Sequence, residues 1–101
     1  MNNTIYDINE IKQIVTPVAK DYGVDSLYLF GSYAKGTATC DSDIDLRVDK
    51  GAVRGIQFAS LMLSLEEALG KRIDLVTSAS LDSVFLDAIK KEEIVLYAKQ
   101  G

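Results

Sequence analysis

Seven consecutive residues, Asp43–Asp49, read DIDLRVD. Charged and apolar side chains alternate without a break, the period of a strand with one face on a core and the other turned away from it. Ile44, Leu46 and Val48 belong to the core face, and Asp43, Asp45, Arg47 and Asp49 share the opposite one. A helix is excluded here, and a sheet with one polar side is required. The same stretch carries a cost. With Asp41 just upstream, three acids crowd into residues 41–45, and like charges on neighbouring positions destabilise a sheet. Either they are solvated, or a cation is meant to sit among them.

The rest of the chain supplies partners for such a strand. Ser26–Phe30 (SLYLF) is a short strand ending at Gly31, and Arg72–Val76 (RIDLV) is another with Asp74 at its centre. Asp7–Tyr22 carries Ile8, Ile11, Ile14, Val15, Val18 and Ala19 at helical spacing, with Asp7 and Glu10 as a capping box and Gly23 as terminator. Pro17 inside that pattern predicts a kink or break near Thr16. A long helix is expected over Ala52–Leu69, closed by Gly70, with an apolar set, including Ile56 and Leu63, that is broader than one stripe. A helix over Leu81–Lys91 and a short apolar edge strand, Ile94–Ala98, complete the pattern, and the residues after Ser32 read as a polar loop. This order implies an α+β sandwich: a short mixed sheet with helices packed mainly on one face and the other face free for chemistry. With 101 residues, no repeats and no internal linker, one domain over 1–101 is expected.

Composition narrows the chemistry. The chain has no histidine, which excludes Ser-His-Asp and Cys-His mechanisms and His-ligated zinc. Its one cysteine, Cys40, has no disulfide partner and no activating imidazole, and reads as a small loop residue. A net charge of -4 provides no global basic field to hold a long nucleic acid. No apolar run is long enough to span a membrane, and the opening residues MNNTIYDINE lack the basic and apolar regions of a signal peptide. A cytoplasmic protein is expected. Carboxylates, hydroxyls, Lys and Arg remain to carry any chemistry.

Asp43 and Asp45 lie two residues apart on one strand face, and Asp74 sits on a second strand that is apolar around a single acid. Acids on adjacent pleats with a third across the sheet form an oxygen cage suited to Mg2+, an ion usually shared between carboxylates and substrate phosphates. Two such ions can clamp the attacking and leaving oxygens of a phosphoryl-group displacement. The Gly31-Ser32 pair at the end of the preceding strand offers close backbone approach and a hydroxyl for phosphate oxygens. A calcium-binding EF-hand loop, which DSDID also suggests, fails. Leu46 stands where that loop needs glycine, and Ala52 stands where it needs glutamate.

Gly31-Ser32, a ten-residue spacer, then Asp43-Ile44-Asp45 resembles the signature of the DNA polymerase β-like nucleotidyltransferase superfamily. GSYAKG with SDIDL is similar to its smallest branch, the minimal nucleotidyltransferases, and RIDLV around Asp74 fits the third family acid. The resemblance implies that Asp43 and Asp45 bind two Mg2+ ions carrying ATP. It also implies that Asp74 binds the catalytic metal and helps to deprotonate the attacking hydroxyl, and that Gly31 and Ser32 hold the triphosphate. Larger superfamily members carry an acceptor-binding domain for which this chain has no room. Minimal members resemble the antitoxin of toxin–antitoxin pairs whose toxin is a HEPN-domain ribonuclease, and the implied reaction is transfer of AMP to a tyrosine of that toxin. Two alternatives stay open. One is neutralisation by binding alone, through the broad apolar surface of the Ala52–Leu69 helix. The other is transfer to a small molecule of aminoglycoside type, which the missing acceptor domain disfavours.

The remaining polar residues have plainer expectations. Arg47 is expected to pair with Asp43 or Asp45, or with phosphate. Lys35, Lys71 and Arg72 are expected to be solvated, and Asp41 to be a turn acid. Tyr33 either packs or lies near the nucleotide.

Overall fold

The computed structural model describes residues 4–99. Helix α1 (Ile8–Tyr22) leads into strand β1 (Ser26–Phe30), short helix α2 (Gly31–Lys35), strand β2 (Ile44–Asp49), helix α3 (Ile56–Leu69) and strand β3 (Ile73–Thr77). A 3-10 turn (Ser78–Ser80), helix α4 (Ser83–Lys90) and strand β4 (Ile94–Ala98) follow. The four strands form one mixed sheet in the order β3-β2-β1-β4, with β2 and β3 parallel and the other pairs antiparallel.

The alternation in β2 is realised as expected: Ile44, Leu46 and Val48 are fully buried. They meet Leu27 and Leu29 of β1, Ile73 and Leu75 of β3, and the inward residues of the helices, Ile11, Val15 and Ala19 of α1 and Leu61, Leu65 and Leu69 of α3. Burying this apolar surface on one sheet face is the main favourable term for the fold. Polar ties fix the helix layer. The Tyr22 hydroxyl lies 2.6 Å from the Ser60 hydroxyl and 2.8 Å from that of Ser64, and the Tyr6 hydroxyl donates to the Leu69 carbonyl at 2.6 Å.

Several boundaries differ from expectation, each for a physical reason. The capping box is present, with Asp7 accepting from the Glu10 amide at 2.8 Å and Glu10 accepting from the Asp7 amide at 2.9 Å. Yet Pro17 does not break α1, which runs on to Tyr22. Pro17 is exposed, so its ring meets no packed neighbour layer, and the Thr16 hydroxyl donates to the Lys12 carbonyl at 2.6 Å in the same turn. Helix α3 starts at Ile56 rather than Ala52. Gly51 and Gly55 both adopt left-handed backbone (φ 57° and 53°), and Val53 between them is drawn into the core, which no continuous helix allows. Residues 31–35, read as loop, form a single helical turn. Helix α4 is shorter than expected because Asp82 caps it, accepting from the Phe85 amide at 2.8 Å. β4 is an edge strand, as expected.

The second face of the sheet is not entirely free. Around Arg47 it is covered by Ser78 of the 3-10 turn and by Glu93 just ahead of β4, while Asp43 and Asp74 stay exposed.

Candidate active site

Strand register brings the acids together. Across the parallel β2–β3 pair Asp45 stands opposite Asp74, and across the antiparallel β1–β2 pair Asp45 stands opposite Phe30, the last residue before Gly31. Partners directly opposite have side chains on the same face within contact range. Asp43 lies one step outside β2 and is exposed. The turn before it is rigidly tied: the Thr39 amide donates to the Ser42 hydroxyl at 2.9 Å, the Ser42 amide to the Thr39 carbonyl at 3.1 Å, and the Asp41 amide to the Thr39 hydroxyl at 3.3 Å. Asp41 is thus the turn residue that was expected. On the other strand, the Ile73 amide donates to the Glu66 carboxylate at 3.2 Å, and the Ile44 amide to the Arg72 carbonyl at 3.1 Å. These bonds fix how β3, and with it Asp74, enters beside β2.

Gly31 is required twice over. Its φ of 71° favours glycine, and a Cβ there would lie 2.1 Å from Oδ2 of Asp45. The turn after β1 therefore rests directly against the Asp45 carboxylate, and the Gly-Ser pair and the double acid, far apart in sequence, form one local structure. Ser32 follows on α2 and is half-buried.

The electrostatics mark Asp45 as the centre of the cluster. Its carboxyl is pushed up to about 6, first by burial and then by the negative charges of Asp74 and Asp43. Such a group is charged at neutral pH at the expense of local repulsion, which a cation would relieve. Among the described residues no three acidic, histidine or cysteine side chains close around a common point as a ready metal cage. The donor set is nonetheless all hard oxygen. A pair of carboxylates that leaves the remaining coordination to phosphate and water is the usual arrangement for Mg2+.

Other expected residues are placed elsewhere. Arg47 does not pair with Asp43 or Asp45. It is 3% exposed and donates to the Glu93 carboxylate through Nε at 2.8 Å and Nη2 at 2.7 Å. Its Nη1 reaches the Ser78 hydroxyl and, at 3.4 Å, Asp49, and its guanidinium stacks 4.1 Å from the Tyr28 ring centre. No local signal reveals Glu93 as its partner, 46 residues away. Lys71 is not solvated: it is 3% exposed and donates to the Cys40 carbonyl at 3.3 Å, tying the loop before Asp43 to the start of β3. Lys35 is exposed and pairs with Glu92 at 3.4 Å. Arg72 is exposed, as expected. Tyr33 is buried in the core and so takes the packing role. Cys40 is an exposed loop residue.

Residues 9–101 match the family described as polymerase beta, nucleotidyltransferase. The protein adenylyltransferase MntA of Thermococcus cleftensis is 36% identical over 92 residues, covering 86% of this chain and 93% of the relative. Among solved structures, a toxin–antitoxin crystallised with AMP-PNP superposes with a TM-score of 0.74 at 28% identity, covering 88% of this chain and 74% of that one. A mutant MntA–HpeT toxin–antitoxin superposes with a TM-score of 0.69 at 26% identity, covering 94% and 76%. No helix among the described residues is long and apolar enough to cross a membrane.

Proposed function

This chain belongs to the polymerase beta nucleotidyltransferase family, and on that premise we propose that it transfers AMP from ATP, with Mg2+, to a tyrosine hydroxyl of a HEPN ribonuclease toxin and so acts as its antitoxin. One observation carries the reading: Asp45 faces Asp74 in register across the sheet while its carboxylate rests against Gly31. Asp45, paired with Asp74 across the strands, thus adjoins the backbone turn that we propose receives a triphosphate. The similarity to a protein adenylyltransferase and to a toxin–antitoxin bound to AMP-PNP supports the nucleotide and the partner class.

In this reaction the acceptor oxygen bonds to the α-phosphorus. The bond from that phosphorus to its bridging oxygen breaks, and pyrophosphate leaves with the electron pair. Asp43, Asp45 and Asp74 are the residues that would hold two Mg2+ ions. Bound Mg2+ would supply a Lewis acid that neutralises charge on the phosphoryl group and the leaving group. Gly31 lets the chain approach the phosphates without a side chain in the way, and the Ser32 hydroxyl donates to a phosphate oxygen. Asp74, exposed on its strand, is open to take the proton of the incoming hydroxyl. Positioning and charge neutralisation provide most of the acceleration.

A second reading is neutralisation by contact alone. Ile56 (87% exposed) and Leu63 (61% exposed) on α3 give it an apolar surface to work with. Intact mass spectrometry of a toxin co-expressed with this chain separates the two. Under the transfer reading the toxin gains whole AMP units, and the gain disappears when Asp43→Asn and Asp45→Asn are combined. An unmodified toxin that is still neutralised and still copurifies would replace transfer with occlusion.

A further inference from the structure

A sizeable concavity lies away from the acids, on the opposite side of the sheet order. A groove of about 670 Å3 runs between α1 and β4. Lys12, Thr16 and Lys20 of α1 form one wall, and residues 95–99, ending in Lys99, form the other. Three features of this groove point the same way.

First, the wall formed by β4 is an open strand edge. β4 pairs with β1 alone, and among the described residues no strand lies along its outer side. Such an edge offers unpaired backbone donors and acceptors to another extended chain. Val95, 52% exposed, adds an apolar contact. Second, the groove has a sign opposite to that of the molecule. The chain carries a net charge of -4, yet three lysines and no acid line the groove. None of the three lysines forms an ion pair with a described residue. Third, the spacing suits a strand. Lys12 and Lys20 are eight residues apart on one helix face, about 12 Å along the axis. Two side chains four positions apart on one face of an extended chain span about 13 Å.

We propose that the α1–β4 groove docks an extended acidic segment of a partner protein, which adds a strand to β4 and sets two carboxylates against Lys12 and Lys20. Lysines beside an edge ordinarily guard it against pairing with other edges. Here they stand on the neighbouring helix, above the edge, so they repel a second copy of the same groove and admit a chain of opposite charge. A nucleic acid would satisfy the lysines but not the strand edge, whose amide and carbonyl row is complementary to another polypeptide backbone.

The test uses the full chain and fluorescent strand-forming peptides. One carries glutamates four positions apart, a second carries lysines at those places, and a third has its glutamates three apart, on opposite faces of the strand. The first peptide is expected to bind, to weaken steeply with added salt, and to slow hydrogen exchange of the amides of residues 95–99. The double variant Lys12→Glu with Lys20→Glu, at exposed helix positions, is expected to keep the wild-type melting temperature and to weaken binding by about tenfold or more. The other two peptides are expected to bind at least as weakly as that variant does. The proposal is overturned if the first peptide does not bind, if the three peptides bind alike, or if the variant binds as well as wild type. It is equally overturned if poly-uridylate binds as tightly as the first peptide without protecting β4 amides, or if the free protein associates with itself through this edge.

Discussion

Two carboxylates four residues apart on β2, Asp45 and Asp49, point to the same side of the same strand and are treated in opposite ways. Asp49 sits in a finished network. The Ser26 hydroxyl donates to it at 2.8 Å, the Ser78 hydroxyl donates to its other oxygen, and Arg47 stands beside it while gripping Glu93 with two parallel bonds. Burial by itself would raise the Asp49 carboxyl, but the two hydroxyls and the Arg47 charge bring it below the ordinary value. Asp45 has no such company: burial raises its carboxyl first, and the charges of Asp74 and Asp43 add to that effect. One end of the strand is neutralised by the protein's own cation, and the other by nothing the described residues provide. The difference separates a structural network, complete once the chain has folded, from a cluster that would gain from a cation under the proposed function. Arg47 serves the first end only, bound to Glu93, Ser78 and Asp49.

The sharpest way to break this contrast is to neutralise each end. Asp45→Asn is expected to lower AMP transfer at least about a thousandfold, roughly 4 kcal/mol of transition-state stabilisation, without loss of folded stability. Pyrophosphate release and a melting curve on the same sample check both halves. A variant of wild-type activity would mean that the acid cluster is not the site. At the other end Arg47→Met is expected to cost about 3 kcal/mol or more in urea unfolding, because Glu93 and Asp49 are left as partly buried charges without a partner. Adding Glu93→Leu to Arg47→Met is expected to restore part of that loss. If Arg47→Met unfolds like wild type, the network is not what closes that half of the sheet.

How much of this was legible beforehand depends on the range of the interaction concerned. The period-2 alternation of DIDLRVD is a local property. It placed Ile44, Leu46 and Val48 inside and the charged residues on one face correctly. The Asp7–Glu10 capping box and the glycines that end α1 and α3 are equally local. The pairing of Asp45 with Asp74 depends on the register of two strands separated by the whole of α3, so the acids could be nominated but not placed opposite one another. Sequence proximity points Arg47 to Asp43, Asp45 or phosphate, and its partner Glu93 is brought in only by α4 and the segment entering β4. Nothing in KRIDLV shows that the Cys40 loop reaches the Lys71 ammonium, so the sequence alone points to a solvated lysine. The helical turn over Gly31–Lys35 is too short for any periodicity to reveal. The contact of Gly31 with the Asp45 carboxylate, the feature that joins the two motifs, exists only in three dimensions.

A smaller effect probes that contact. Gly31→Ala places a methyl group where Asp45 Oδ2 now lies and holds alanine at a positive φ. The expected cost is about 1–3 kcal/mol of stability, with a loss of transfer larger than the loss of stability explains, because the carboxylate must move to make room. Gly23→Ala has the same backbone penalty, with φ 70°, but meets no atom within 4 Å, and serves as the control. Equal effects on transfer from both variants would show that Gly31 matters only for its backbone.

The smallest effect is the one that sets the two carboxylates directly against each other, in metal-free buffer as a function of pH. Asp45 holds its proton up to about 6 in the folded state, against 3.8 for an ordinary aspartate. The native protein therefore binds more protons than the unfolded chain between those values. The stabilisation from this group is full below the ordinary value and is lost as pH rises through about 6. Asp49 runs the other way. Its folded value is depressed, so its contribution is present above 3.8 and is lost as pH falls. The Asp45 effect is about 1 kcal/mol once solvent screening of this partly exposed group is allowed for. Melting temperatures in EDTA are then expected to decline between pH 4 and 6 in wild type, relative to Asp45→Asn, and to fall more steeply on the acid side in wild type than in Asp49→Asn. Mg2+ with ATP is expected to remove the first difference and leave the second unchanged, since under the proposed function only Asp45 would meet the cation. If the ligand altered both differences alike, the two ends of β2 would be one coupled network, and the separation drawn between them would not stand.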